Sequence, residues 1–240
     1  ELFGLIELQS TFYRLPMVAT AEKWRHEAPH HFIFTMKAWQ VVTHPPTSPT
    51  WRRSGVKVSR REHERYGSLK PTDENFSAWE KTVEVAKALN CRVIVLQMSP
   101  SFVKNEENIF NAKSFLKGVE RPQSMDVGIE LRHESWDLKT VSSLCEELDL
   151  LHIVDPFKQE PARTTSRKIY YRLHGLGKKP YVYDYSMDEL MKLYECWVKP
   201  FEEEKDVYVL FNNTSMAADA LDFMKIAFTS GIYPHSSSGN

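Results

Sequence analysis

Asp126-Val-Gly-Ile-Glu-Leu-Arg132 is the stretch on which the fold turns. Gly128, Glu130 and Arg132 share one face of an extended chain, and Val127, Ile129 and Leu131 share the other. The polar members gather toward the carboxyl end. A helical stretch from about Glu106 to Lys117 precedes this run, and another from about Leu138 to Leu148 follows it. A strand between two helices is the repeating unit of a parallel sheet.

The same alternation extends in both directions. Upstream, Leu5 to Tyr13 reads as a strand, Ala19 to Ala28 as a helix and Phe32 to Trp39 as a second strand. A helix over about Asn75 to Leu89 then leads to the strand Arg92-Val-Ile-Val-Leu-Gln-Met98, closed by Pro100. Downstream come the strands Leu151 to Asp155, Ile169 to His174 and Val207 to Phe211, with helices near Met187 to Val198 and Met216 to Phe228. This pattern predicts an α/β fold, a TIM-type (β/α)8 barrel, as one domain over residues 1–233. Seven strands are visible where such a barrel has eight, so the first strand is expected to be absent from this chain. An open doubly wound sheet is the alternative. Residues 234–240, rich in serine, are expected to form a flexible tail.

Lys plus Arg number 31 and Asp plus Glu 32, so no global field draws the chain to nucleic acid or to a membrane. No apolar run reaches the roughly 18–20 residues of a membrane span, and no membrane partner is expected. Cys91, Cys145 and Cys196 lie far apart without a CxxC pair, a pattern of buried thiols in a reducing cytoplasm rather than of disulfides or zinc.

Basic charge is instead local. The segment 40–74 is too long for an ordinary βα connection. It carries Arg52, Arg53, Lys57, Arg60, Arg61, Arg65 and Lys70 against Glu62, Glu64, Asp73 and Glu74. On a barrel such a loop lies over the active face, as a lid or an anion-attracting flap; otherwise it is a solvated insertion with a short helix near Arg60 to Tyr66.

Six strands place polar residues near their carboxyl ends. Glu7, Gln9 and Thr11 share a face, as do Thr35 and Lys37, Val95 and Gln97, Glu130 and Arg132, Ile153 and Asp155, and Arg172 and His174. Burying charge is costly unless it is paired or used. The arrangement predicts one polar pocket, in which Glu7, Glu130 and Asp155 balance Lys37, Arg132 and Arg172. A closed structural ion-pair network is the bland alternative.

Several runs together resemble the family named domain of unknown function 72 (DUF72, YecE-like). They are Ile6 to Pro16, Phe34-Thr-Met-Lys-Ala38 with Thr43-His44, Val95 to Phe102, Ile129 to Trp136, Tyr171 to Gly175, and Phe211-Asn-Asn213. The resemblance spans nearly the whole chain and implies a TIM-type barrel of unestablished reaction. Two features depart from the family pattern: the glycine-rich first strand is lacking, and Gln9 stands where asparagine is common.

For chemistry, Glu7 and Glu130 are the leading acid/base candidates, with Asp155 and His174 as further catalytic candidates. Lys37, Arg132 and Arg172 suit a phosphate or carboxylate. Gln9, His44, Gln97 and His133 complete the expected binding set. Tyr13 and Trp136 offer ring walls for a base or sugar, or simple packing. Asn212 and Asn213 can read hydroxyls, or cap the helix that follows. His44, His133 and His174 with Glu130 and Asp155 have metal-ligand chemistry, but none of these residues stands in an HxH or HExxH spacing and three cations oppose a divalent ion, so no metal is expected. No cofactor is indicated. The expected function is a hydrolase acting on a phosphorylated or nucleotide-like anion; the alternative is a nucleic-acid-binding barrel that uses the basic 40–74 loop without catalysis.

Overall fold

The computed structural model describes residues 2–179 and 181–229, so the expected tail at 234–240 lies outside the described residues. The chain divides into two compact units. The first runs from Phe3 to Ile153 with Ala162–Thr165, and the second holds Val154–Pro161 and the residues from Ser166 onward.

The first unit contains β1 (Leu5–Leu8), α1 (Ser10–Tyr13), α2 (Val18–Glu27), β2 (Ile33–Lys37), α3 (Gln40–Thr43), α4 (Asp73–Ala88), β3 (Val93–Gln97), α5 (Glu106–Gly118), β4 (Asp126–Glu130), α6 (Leu138–Leu148) and β5 (Leu151–Val154). Its strands pair in parallel, each with the next in sequence. Every residue of β3 is buried, the continuous apolar run of a strand covered on both faces. The three longest helices of this unit start where a side chain can accept an otherwise unused N–H: Thr72 from Asn75, Asn105 from Asn108 and Asp137 from Thr140. Met36, Ile94, Leu96 and Ile129 pack with Trp79 and Phe115 of the helices.

The second unit contains β6 (Lys168–Leu173), α7 (Met187–Leu193), β7 (Asp206–Phe211) and α8 (Met216–Thr229), with β6 and β7 parallel. Leu173, Leu190, Leu193, Tyr194 and Phe223 form its apolar core. The helix expected over Met187 to Val198 ends at Leu193, and Tyr194–Val198 continues as a π-helical turn.

One expected strand is shorter than its pattern. β1 stops at Leu8, Gln9 is already in helical conformation, and Ser10–Tyr13 forms a helical turn. Thr11 donates to the Leu8 carbonyl at 2.9 Å and to the Lys37 carbonyl at 2.8 Å. A threonine hydroxyl that captures backbone carbonyls competes with the strand ladder. Thr11 is therefore a bracket between β1 and β2, not a strand residue sharing a face with Glu7.

The 40–74 segment is largely packed. Val41, Val42, Trp51 and Leu69 are buried. Asn75 fastens its return, accepting from the Gly67 N–H at 3.0 Å and donating to the carbonyls of Gly67 and Lys70. Gly67 has a φ of +73°, and a Cβ there would lie 2.2 Å from the His44 carbonyl oxygen. Only glycine fits. The short helix expected near Arg60 to Tyr66 is a 3-10 turn over Arg60–Arg65.

Candidate functional site

Register assembles the site in the first unit. Glu7 pairs with Thr35, Lys37 with Val95, and Gln97 with Glu130. Paired residues of parallel strands point to the same face, so Glu7, Lys37, Gln97 and Glu130 share one face. From β1 to β2 and from β2 to β3 the polar position advances by two residues. Each is the last residue on that face within its strand or one short of it. A Cβ on Gly128 would meet the Ile153 Cδ1 at 2.5 Å, so Ile153 fills the floor beside Glu130 on this face.

All four polar side chains are nearly withdrawn from water: Glu7, Lys37 and Gln97 are each 7% exposed and Glu130 6%. Arg132, just beyond β4, donates through Nε and Nη2 to the same Glu130 oxygen, both at 3.0 Å, and through Nη2 to the Gln97 Oε1 at 3.1 Å. The Gln9 amide donates to Glu7 Oε1. Each of the two glutamines thus bonds one member of the charged set, Gln9 to Glu7 and Gln97 to Arg132.

His44, at the end of α3, closes one side. Its Nδ1 lies 2.9 Å from the Thr43 hydroxyl, and its ring meets Phe12 edge to face. Burial first, and then the positive charges of Arg132 and Lys37, lower its pKa from 6.5 to about 4. The imidazole is therefore neutral at pH 7, able both to donate and to accept. The Lys37 ammonium stands 5.7 Å from the centre of the Phe12 ring. Phe12 in turn meets Tyr13 edge to face at 5.1 Å, and the Arg53 guanidinium lies 3.5 Å over the Tyr13 ring. Trp39 Nε1 and Gln40 Nε2 both donate to the Tyr13 carbonyl, so the long loop is pinned against α1.

Other expected site residues occupy different surroundings. His133 Nδ1 accepts from the Ser135 N–H at 3.1 Å and is tied into the turn after β4. Trp136, read as a candidate ring wall, is buried, stacks on Phe102 and donates to the Phe102 carbonyl at 2.7 Å. Its described contacts are packing contacts. Among the described residues, no three of His, Cys, Asp and Glu gather as metal ligands would. Burial pushes the Cys91 and Cys145 thiols up to about 12.

In the second unit, Asp155 and His174 are neighbours. Asp155 accepts the His174 backbone N–H at 3.0 Å and the Phe157 N–H at 3.2 Å, with Lys158 at 3.6 Å. Burial raises its pKa, against the lowering effect of these partners. The Tyr185 hydroxyl accepts from the Gly175 N–H at 2.9 Å. Arg172 is fully buried on β6, level with Leu210 of β7. Asn213 donates to the Asp219 carboxylate at 2.5 Å and to the Tyr183 carbonyl at 2.8 Å, whereas the backbone N–H of Asn212 donates to the Leu173 carbonyl. Asn213 thus secures the segment around Tyr183 to α8.

The model of the family described as protein of unknown function DUF72 matches residues 1–228. The chain belongs to the DUF72 family. It is 27% identical over 254 residues to the UPF0759 protein YunF of Bacillus subtilis (strain 168), covering 92% of this chain and 80% of that protein. The crystal structure of a DUF72 family protein from Thermotoga maritima is similar with a TM-score of 0.68 and 23% identity, over 94% of this chain and 85% of that one. A DUF72 family protein from Enterococcus faecalis has a TM-score of 0.70 and 21% identity, over 97% and 88%. The crystal structure of SacUVDE has a TM-score of 0.60 and 12% identity, over 96% and 82%. The α/β fold of TIM type read from the DUF72 resemblance is the fold these structures share.

Reasoning from spacing missed Arg53 as a neighbour of Tyr13. Forty residues separate them, and only the packed path of the loop brings them together. It also missed Asn75 and Gly67, which hold the loop on which His44 sits.

Proposed function

We propose that the face bearing Glu7, Lys37, Gln97 and Glu130 binds a phosphorylated or nucleotide-like anion and hydrolyses it. The observation that supports this reading is the placement of Lys37, on the shared face, and of Arg132, bonded to Glu130 and Gln97, near the buried His44 imidazole. Both cations act on this imidazole and lower its pKa, an effect smaller than that of burial, although Glu7 and Glu130 stand on the same face. A dry positive field is where a phosphate gains most.

In this reading Lys37 supplies a point charge to the anion. Arg132, held by Glu130 and Gln97, presents its guanidinium at the edge of the cluster. Neutral His44 donates a hydrogen bond to a phosphoryl oxygen. Glu7, oriented by Gln9, and Glu130, which also positions Arg132, are the proton-handling groups. The direct test is hydrolysis of p-nitrophenyl phosphate together with binding of inorganic phosphate. Glu7→Gln keeps phosphate binding and loses turnover, whereas Lys37→Met loses both. Glu130→Gln retains an oxygen acceptor for Arg132, so it keeps the fold and phosphate binding and loses turnover. Absence of turnover in the wild type, or phosphate binding unchanged in Lys37→Met, contradicts the reading.

A second reading rests on a separate observation. Arg52, Arg53, Lys57, Arg60 and Arg61 are all exposed at the tip of the long loop. Two other bases there are neutralised, Arg65 by Glu74 at 3.0 Å and Lys70 by Glu64 at 2.6 Å. Five exposed cations suit the phosphate backbone of a nucleic acid. Binding that weakens steeply with salt, with a slope reduced by Arg52→Ala/Arg60→Ala/Arg61→Ala, supports this reading; salt-insensitive or absent binding excludes it.

A further inference from the structure

We propose that Tyr13 is a stacking platform for the planar ring of a nucleoside phosphate, and that Arg53 covers that platform in the free protein. The proposal rests on the anion-binding reading above and narrows its substrate class. Three features carry it.

The first is the exposed Arg53 side chain, whose guanidinium lies 3.5 Å over the Tyr13 ring, the separation of two stacked planar groups. A guanidinium plane occupies the place that a nucleobase would take. Arg53 belongs to the exposed loop tip and has no ion-pair partner among the described residues, so this stack is its described attachment.

The second is the firmness of what lies beneath. The Tyr13 carbonyl accepts from Trp39 and Gln40, and the ring is braced edge to face by buried Phe12. The platform is fixed by these contacts, whereas its cover is an exposed, long side chain.

The third is spacing. The Tyr13 and Phe12 ring centres are 5.1 Å apart, and Lys37 Nζ is 5.7 Å from the centre of Phe12. Lys37 and His44 thus lie one ring beyond Tyr13. A ring stacked on Tyr13 places a phosphate at Lys37 if a pentose-sized spacer joins them. A sugar phosphate without a base fills only the inner part.

The test compares adenosine 5′-monophosphate with ribose 5-phosphate and inorganic phosphate by calorimetric titration. The wild type binds the nucleotide about 5- to 150-fold more tightly than ribose 5-phosphate, the range that one base–aromatic stack contributes. Tyr13→Ala removes that ratio and leaves ribose 5-phosphate binding intact, and Tyr13→Phe restores it. Arg53→Ala uncovers the ring and tightens nucleotide binding by about 2- to 5-fold. Equal wild-type affinities for the two phosphates overturn the platform while the anion site stands. Failure to bind any of the three overturns both. Weaker nucleotide binding by Arg53→Ala overturns the covering role. If Tyr13→Ala does not fold, the wild-type ratio and the exposed Arg53 variant still decide.

Discussion

Lowering the pH from 7 toward 4.5 removes stability from the first unit through two histidines that fold in the neutral form. His44 and His152 each have a pKa lowered from 6.5 to about 4, in both cases chiefly by burial. His152 Nδ1 accepts the Ala162 N–H at 2.9 Å, which assigns its proton to Nε2 and requires an uncharged Nδ1. The folded pKa lies below the unfolded one, so between about 6.5 and 4 the unfolded chain binds more protons than the folded chain. The neutral histidines therefore contribute stability that is present above pH 6.5 and lost as pH falls through that window. At about 1.4 kcal/mol per pH unit, the interval from 6.5 to about 4 is worth about 3 kcal/mol for each histidine. Asp155 and Asp219 oppose this, because burial raises their folded pKa values and they take up protons as pH falls. Both belong to the second unit. Five of the six tryptophans lie in the first unit, Trp197 being the exception, so fluorescence-monitored urea unfolding reads mainly the histidine effect. The unfolding free energy should drop steeply between pH 6.5 and 4.5, and His152→Gln should lower the slope by about one proton. A stability that is flat or rising over that interval refutes the reasoning, as do imidazole NMR titrations near 6.5 for both residues.

Three further perturbations test the packing around the site. Gly67→Ala should cost about 2–4 kcal/mol, because the methyl group meets the His44 carbonyl and the φ of +73° disfavours a side chain; thermal unfolding measures it, and a shift below 1 °C counts against the packed loop. Arg132→Met removes the half-buried 3.0 Å partner of the buried Glu130 carboxylate, and should cost about 1–3 kcal/mol in urea unfolding at pH 7. Trp136→Phe should cost about 1 kcal/mol for the lost bond to Phe102 while leaving inorganic phosphate binding unchanged; weakened binding assigns Trp136 to the ligand after all.

Much of this architecture was legible in the chain itself. The alternation in Asp126 to Glu130 identifies β4 and the side of Glu130, since a two-residue period survives any context that buries one face. The helix over Leu138–Leu148 starts where Asp137 caps it and ends where Asp149 turns left-handed at φ 49°. Glu7, Lys37, Gln97 and Glu130 were readable as one set because regular register carries them to one face. Elements decided by distant partners were not legible. Alternation runs on through Gln9, Ser10 and Thr11, yet the carbonyls of Leu8 and Lys37 draw Thr11 into a helical turn. The order of the long loop depends on Asn75 and Gly67 meeting from opposite ends of a turn. The Arg53–Tyr13 stack arises from a loop path that no local period encodes.

Difference density from crystals grown without phosphate and then soaked in inorganic phosphate tests the central claim most directly. The account predicts a tetrahedral anion within hydrogen-bond reach of Lys37 Nζ and His44, near the edge of the Arg132 guanidinium. Density confined to the basic tip around Arg52 to Arg61, or no density beside Lys37 at saturating phosphate, contradicts it.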